Sequence, residues 1–278
     1  MSFSKNYKSI INDLLIPSTE LPNFDSQNQL IIYEVVRIIN KRVLFLEDHI
    51  QRFFDSFHLL RLKPVITTTE ILERLLLLIE SNQVSECNVK FQVVLSNNFT
   101  KQDFYAFIVP HRYPTDKQYK TGVTASILNA LRLTPNAKTQ QSAIREASNK
   151  IILEKKVYEV ILVNQKDFVT EGSRTNLFMI KDNIVISPRT EDILPGITRK
   201  HVLQVCSNLK IKPIEKDILL TEMLTMDCLF LSGTSPKVLP INSVDNYSFD
   251  VNHPLLRKIM TEFDELIEKY LKLNTKFL

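Results

Sequence analysis

Apolar positions along this chain change period several times, and each change marks an element. Residues 30–39 form a β-rich run, and Asn40-Lys41 separates it from a second apolar run at 43–46. The pair predicts a hairpin. A period of two places Tyr33, Val35 and Arg37 on one face of the first strand. Ile50, Phe53, Phe54 and Phe57 then recur at i, i+3, i+4, i+7, which predicts an amphipathic helix. Asp48 stands where its cap would be, and Arg52 lies off the centre of the stripe. Thr67 and Glu70 have the spacing of a capping box ahead of a second helix that carries Ile71, Leu72, Leu75, Leu76 and Ile79. Strands are expected at 89–95 and 104–109, around the turn Ser96-Asn97-Asn98.

Two prolines and a shift of composition at 110–116 mark a linker. Beyond it the pattern predicts a strand at 122–128 and an irregular segment from Leu133 to Lys138. A helix at 142–157 follows, then short strands at 159–163, 175–180 and 184–186. Polar turns between those strands suggest an antiparallel meander. Val202, Leu203, Cys206 and Leu209 are helically spaced after Gly196. A short helix near 221–226 leads to a strand at 227–231. Pro254 opens a final helix with Leu255, Ile259, Met260, Phe263, Ile267 and Tyr270 on one face. Residues 1–28 carry little signal. The expectation is an α+β protein of two parts: a smaller domain over 1–112, a linker at 113–117 and a larger domain over 118–278.

Composition narrows the function classes. The formal net charge is +4, too mild to point to nucleic acid or an anionic membrane. No apolar run is long enough to span a bilayer, and the polar start at residues 1–5 has no signal-peptide core. Three scattered cysteines, Cys87, Cys206 and Cys228, read as buried free thiols of a cytoplasmic protein. Neither CxxC nor HExxH occurs, so no metal site is expected. With four glycines in all, the chain has no GxGxxG and no GxxxxGK[ST], which argues against Rossmann and P-loop nucleotide sites.

Two of the four glycines fall within residues 169–199. Gly172 follows Glu171 and allows a sharp turn or a close backbone approach. Gly196 follows Pro195 and precedes a helix, so the first backbone N–H groups of that helix are available to an anion. A carboxylate at one end and an anion cradle at the other suit a cofactor with a basic nitrogen and a phosphate.

Five motifs in order carry a resemblance. They are Tyr33-Glu34-Val35-Val36, the run from Phe45 to Arg52, Thr170-Glu171-Gly172-Ser173, the run from Leu194 to Arg199, and Leu231-Ser232-Gly233-Thr234-Ser235. Together they resemble the class IV aminotransferases, pyridoxal-phosphate (PLP) enzymes of fold type IV. That family includes branched-chain and D-amino-acid aminotransferases and aminodeoxychorismate lyase. The resemblance covers roughly residues 30–270 and takes in three of the four glycines.

The resemblance implies a two-domain fold of the D-amino-acid aminotransferase type and a homodimer acting on amino-acid and 2-oxo-acid substrates. It places the cofactor-linking lysine at Lys138, ahead of a helix that leads into the strand before the Glu-Gly motif; Lys150 is the other lysine considered, in mid-helix. It implies that Glu171 pairs with the pyridine nitrogen, so that the ring can accept electrons. Phosphate contacts would come from Arg52, from Gly196, Ile197 and Thr198, and from Gly233 and Thr234. Tyr33 would hydrogen-bond the phenolic oxygen. His49 fits either a place near substrate or subunit interface, or a helix-capping or core role. His111 and Arg112 lie where the family's active site is bordered.

The chain also departs from the family pattern. Residues 25–29 stand in place of a Gly-rich turn, and no arginine follows the strand through Phe91, Gln92 and Val93. Arg37, on the Tyr33 face, is the candidate cation for a substrate carboxylate. The readings weighed are an aminotransferase, an aminodeoxychorismate lyase-like enzyme, and a degenerate homologue that binds PLP without turnover.

Overall fold

The computed structural model describes residues 7–24, 29–111, 113–130, 132 and 134–273. The polar start, residues 25–28, Arg112 and Leu133 lie outside them. The described residues gather into two units, one drawn from 1–112, 137–140 and 269–278, the other from 113–136 and 141–268. The short segment that holds Lys138 thus groups with the first unit, and Thr115 caps a helix where the sequence suggests a linker.

The first unit contains β1 (Lys8–Ile11), β2 (Leu14–Pro17), β3 (Leu30–Ile39), β4 (Arg42–Val43), α1 (Leu46–Leu59), α2 (Thr68–Asn82), β5 (Glu86–Ser96) and β6 (Lys101–Val109). Its strands form one antiparallel sheet in the order β2-β1-β6-β5-β3-β4. The expected hairpin of β3 and β4 is present, but β4 stops at Val43, and Leu46, read as the end of that strand, opens α1. β1 and β2 arise from the weakly patterned start; each has only four residues, too few to display a period. Alternation along the strands gives the sheet two different faces. One packs Ile32, Val36, Phe91 and Val93 against Phe53 and Phe57 of α1 and Ile71 and Leu75 of α2. The other carries Ile31, Tyr33, Tyr105 and Phe107. Among these aromatic residues the register sets Gln92 opposite Tyr33 and Lys90 opposite Val35.

Helix starts show which sequence signals held. Thr67 and Glu70 form the capping box, with Thr67 N–H donating to Glu70 Oε2 at 2.7 Å. Asp48 does not cap α1. The cap is Phe45, in a left-handed conformation with φ 52°, and Asp48 falls in the first turn. Phe45 is fixed there by packing, its ring centroid 4.9 Å from that of Tyr270.

The second unit contains α3 (Asp116–Thr121), β7 (Val123–Asn129), α4 (Ser142–Lys155), β8 (Glu159–Val163), β9 (Val169–Gly172), β10 (Asn176–Lys181) and β11 (Ile184–Ser187). It continues with α5 (Ile197–Asn208), β12 (Ile214–Glu215), α6 (Leu220–Met223), β13 (Cys228–Gly233), β14 (Lys237–Val244), β15 (Tyr247–Ser248) and α7 (Pro254–Leu273). The sheet order is β12-β11-β10-β13-β14-β7-β8-β9, with β15 on β14. The expected meander is therefore broken: β8 and β10 are separated by β13, β14 and β7. Both β14 and β8 run parallel to β7, so the sheet is mixed.

β14 has no counterpart in the sequence reading, because Pro240 stands in its middle. Proline cannot donate to a sheet ladder. Here Pro240 faces Phe230 of β13, and the ladder on the other side, with β7, begins only at Ile241. On α7 the buried residues are Leu256, Ile259, Phe263 and Ile267, so three of the expected face are buried and Leu256 takes the place of Leu255.

Candidate active site

In the first unit, residues 138–140 run along the edge of β3. Tyr33 N–H donates to the Lys138 carbonyl at 3.1 Å, and Gln140 N–H donates to the Ile31 carbonyl at 3.1 Å. Lys138 N–H donates to Ser56 Oγ at 3.0 Å, and Ser56 Oγ in turn donates to the Arg52 carbonyl at 2.9 Å. An otherwise irregular stretch is thereby held at both strand and helix. Lys138 Nζ stands 5.3 Å from the centroid of the Tyr33 ring. Lys150 has a different setting: it is exposed on α4, with Nζ 4.0 Å from Glu154.

Behind this edge lies a buried charge cluster centred on Glu34. Arg52 Nε donates to Glu34 Oε1 at 2.7 Å and Arg52 Nη2 to Oε2 at 2.7 Å, while His49 Nδ1 meets Oε2 at 2.8 Å. Burial would raise the Glu34 pKa. The opposing charge of Arg52 and the hydrogen bonds from His49 and Arg52 outweigh it and bring the value down to about 2. His49 is shifted below its ordinary value, first by burial and further by the charges of Arg52 and Lys138, against the pull of Glu34. It is a neutral ring whose Nδ1–H donates to the carboxylate. Arg52 thus spends two of its five donors on Glu34, which fixes the plane of the guanidinium.

Arg37 is not brought to Lys138. Its Nη2 pairs with Glu86 Oε1 at 2.8 Å. Four residues separate it from Tyr33 along β3, about 13 Å at strand rise. Lys90 is brought there instead, with Nζ 4.5 Å from the Tyr33 ring centroid.

The second unit joins the Glu-Gly motif to the Leu-Pro-Gly motif through Asn176. Its Nδ2 donates to Glu171 Oε2 at 3.3 Å and to the Leu194 carbonyl at 2.9 Å. Leu194 N–H also donates to Glu171 Oε2, at 3.2 Å. Gly196 touches the same side chain: a Cβ there would lie 1.9 Å from Asn176 Oδ1. Glycine is needed for close approach, since its φ of −63° is open to any residue. Gly196 is the N-cap of α5 and leaves the first N–H groups of a 12-residue helix without a side-chain cap. Ile197 and Thr198 occupy that first turn and are buried.

Gly172 also serves close approach, with a Cβ there falling 2.1 Å from Thr175 Oγ1. Thr175 Oγ1 and Ser173 Oγ donate to the buried carboxylate of Glu159 at 3.0 and 2.7 Å, which shapes the turn after Glu171. Gly233 lies against Thr175, at 3.2 Å from a built Cβ to Thr175 Cγ2, and Thr234 follows it. Glu171 itself is buried, and Arg132 Nη1 donates to its Oε1 at 2.8 Å.

Several of these residues escaped the sequence reading. Glu34 sat inside a recognised motif, and the period of two places it on the helix-facing side among Ile32 and Val36. A carboxylate in that position requires a cation, so the signal was present. Lys90, Arg132, Asn176 and Glu159 had no local pattern to announce them. Among the described residues no cluster of His, Cys, Asp and Glu could hold a metal ion.

The model of the family described as amino-transferase class IV matches residues 31–244. The D-alanine aminotransferase of Bacillus licheniformis is 28% identical over 256 residues, covering 85% of this chain and 87% of its own. Among solved structures, the branched-chain aminotransferase of Thermobaculum terrenum, in its PLP form, superposes with a TM-score of 0.80 at 20% identity, over 96% of each chain. A putative 4-amino-4-deoxychorismate lyase of Legionella pneumophila gives a TM-score of 0.78 at 22% identity, over 88% of this chain and 96% of its own. The structural likenesses establish the α+β architecture of fold type IV.

Proposed function

The chain belongs to the class IV aminotransferases, and from that premise we propose that it moves an amino group between an amino acid and a 2-oxo acid, with Lys138 carrying PLP. The cofactor, when bound, supplies an electron sink for the substrate's α-carbon. Lys138 Nζ holds and moves the proton at that carbon. Glu171 pairs with the pyridine nitrogen. The backbone N–H groups of Ile197 and Thr198 and the Thr198 hydroxyl bind the phosphate at the start of α5, with Gly196 leaving room, and Gly233, Thr234 and Arg52 complete the anion contacts. Tyr33 orients the phenolic oxygen.

The observation that carries this reading is the Asn176 side chain. Its amide ties the Glu171 carboxylate to the Leu194 carbonyl, so the acid and the helix that Gly196 opens form one braced group. The donor set fits PLP: a buried carboxylate suits a protonated ring nitrogen, and the N–H groups that open α5 without a side-chain cap suit a phosphate.

The enzyme acts as a homodimer, in keeping with the family resemblance, and light scattering of the holoenzyme tests this. It works in the cytoplasm, in keeping with three free buried cysteines. Screening amino donors against pyruvate and 2-oxoglutarate tests the reaction. Amino transfer dependent on the oxo acid is expected. Pyruvate released from an amino compound with no acceptor present would contradict it and assign a lyase.

A further inference from the structure

Thr175 touches the glycines of two different motifs, one with each branch of its side chain. A Cβ on Gly172 would collide with its Oγ1, and one on Gly233 would lie 3.2 Å from its Cγ2. Glu171 precedes the first glycine and Thr234 follows the second. The rotamer of Thr175 is held by a residue that the mechanism above leaves unused. Glu159, at the start of β8, is 2% exposed and accepts from four donors. Val160 N–H and Ser173 Oγ reach its Oε1 at 2.8 and 2.7 Å; Arg174 N–H and Thr175 Oγ1 reach its Oε2 at 3.3 and 3.0 Å. They fill a carboxylate, which has about four lone-pair sites. Three of them come from residues 173–175, the turn between Gly172, which ends β9, and Asn176, which opens β10. With Oγ1 held by Glu159, the stiff χ1 of a β-branched side chain fixes Cγ2 against Gly233.

The sheet does not supply this register directly. Strands β14, β7 and β8 stand between β13, which ends at Gly233, and β9, which carries Glu171. No single ladder sets Glu171 against Gly233, and the Thr175 side chain does so instead. We infer that Glu159, acting through Thr175, is a positioning residue for the cofactor: it fixes the span between the acid at the ring nitrogen and the Gly233-Thr234 turn at the phosphate. The inference rests on the proposed roles of Glu171 and of that turn. A ligand gripped at both ends tolerates little change in the span between them. Glutamine at 159 keeps the shape, but its NH2 end meets a backbone N–H, from Val160 or from Arg174 according to its orientation, and that bond is lost. Serine at 175 keeps Oγ1 for Glu159 and removes only the methyl group against Gly233.

The test titrates full-length wild type, Glu159→Gln and Thr175→Ser with PLP and with pyridoxal, which lacks the phosphate. Chemical unfolding of each protein is followed alongside. Thr175→Ser is expected to unfold as the wild type does and to bind pyridoxal as the wild type does. It should bind PLP about 2- to 10-fold more weakly, the span of one ordinary hydrogen bond at the phosphate. Glu159→Gln should bind PLP about 10- to 100-fold more weakly, the span of one lost hydrogen bond to a charged group, with a smaller loss for pyridoxal. The preference for PLP over pyridoxal therefore falls in both variants, a change that a purely structural role would not produce. Thr175→Ser decides the matter if Glu159→Gln does not fold. An unchanged preference in Thr175→Ser, whether both ligands bind as before or both weaken equally, would overturn the inference and leave the roles of Glu171 and Thr234 standing. A wild type that takes up no PLP would overturn both.

Discussion

Arg52 closes both oxygens of Glu34, Nε on Oε1 and Nη2 on Oε2, each at 2.7 Å, with the carboxylate fully buried between β3 and α1. The helix that carries Arg52 is tied to the segment that carries Lys138, because Ser56 links the Arg52 carbonyl to the Lys138 N–H. Removing one partner strands the other's charge. Glu34→Ala should cost about 3–5 kcal/mol in chemical unfolding at pH 7. A variant within about 1 kcal/mol of wild type would show that the pair is solvated.

The same cluster gives stability a pH dependence of known sign. Glu34 is held at about 2, below its ordinary value, so its contribution is complete above the unfolded carboxylate range and is lost as pH falls towards 2. His49 is also depressed, by burial first, so the folded state resists protonation of the ring and stability drops as pH falls below about 6.5. Unfolding free energies from pH 8 to 3 should decline in two stages. In His49→Gln the stage nearer neutrality should disappear.

Gly196→Ala puts a methyl group onto Asn176 Oδ1. Strain of this kind costs about 1–3 kcal/mol, and the displaced amide lets go of Glu171. PLP affinity should fall at least about tenfold, a loss of 1.4 kcal/mol, while far-ultraviolet circular dichroism stays native. Unchanged affinity, read by equilibrium dialysis, would separate Asn176 from the cofactor.

Glu171→Gln retains the shape of the acid and removes its charge. The variant should still take up PLP but transfer amino groups more slowly by on the order of 100-fold, the scale of one lost electrostatic contact to a reacting system. Single-turnover rates with an excess of amino acid measure this directly.

Burial pushes the thiols of Cys87 and Cys228 up to about 12 and that of Cys206 up to about 11. A thiol-specific chromogenic reagent at pH 8 should label none of the three in the native protein and all three in denaturant.

Elements with a strong period were legible in the sequence. Phe53 and Phe57 gave away α1, and Thr67 with Glu70 gave away the start of α2. The functional motifs were legible because glycine is so scarce here: Gly172 and Gly196 each mark a place where Thr175 or Asn176 leaves no room for a Cβ. Long-range pairing was not legible. Pro240 hid β14, since its acceptability depends on where the β7 ladder begins. Arg37 looked like the carboxylate cation because it shares the Tyr33 face, but Glu86 holds it, and Lys90 reaches the same ring from the neighbouring strand. Contacts of this kind depend on register, which no local window contains.

Borohydride reduction decides whether Lys138 carries the cofactor. The purified protein, saturated with PLP, is reduced, digested and examined by mass spectrometry beside Lys138→Ala. The wild type should lose its visible band on reduction and carry the phosphopyridoxyl mass on the peptide containing Lys138; the variant should show neither. A modified peptide containing Lys90 or Lys150 instead, or a wild type that takes up no cofactor, would contradict the assignment.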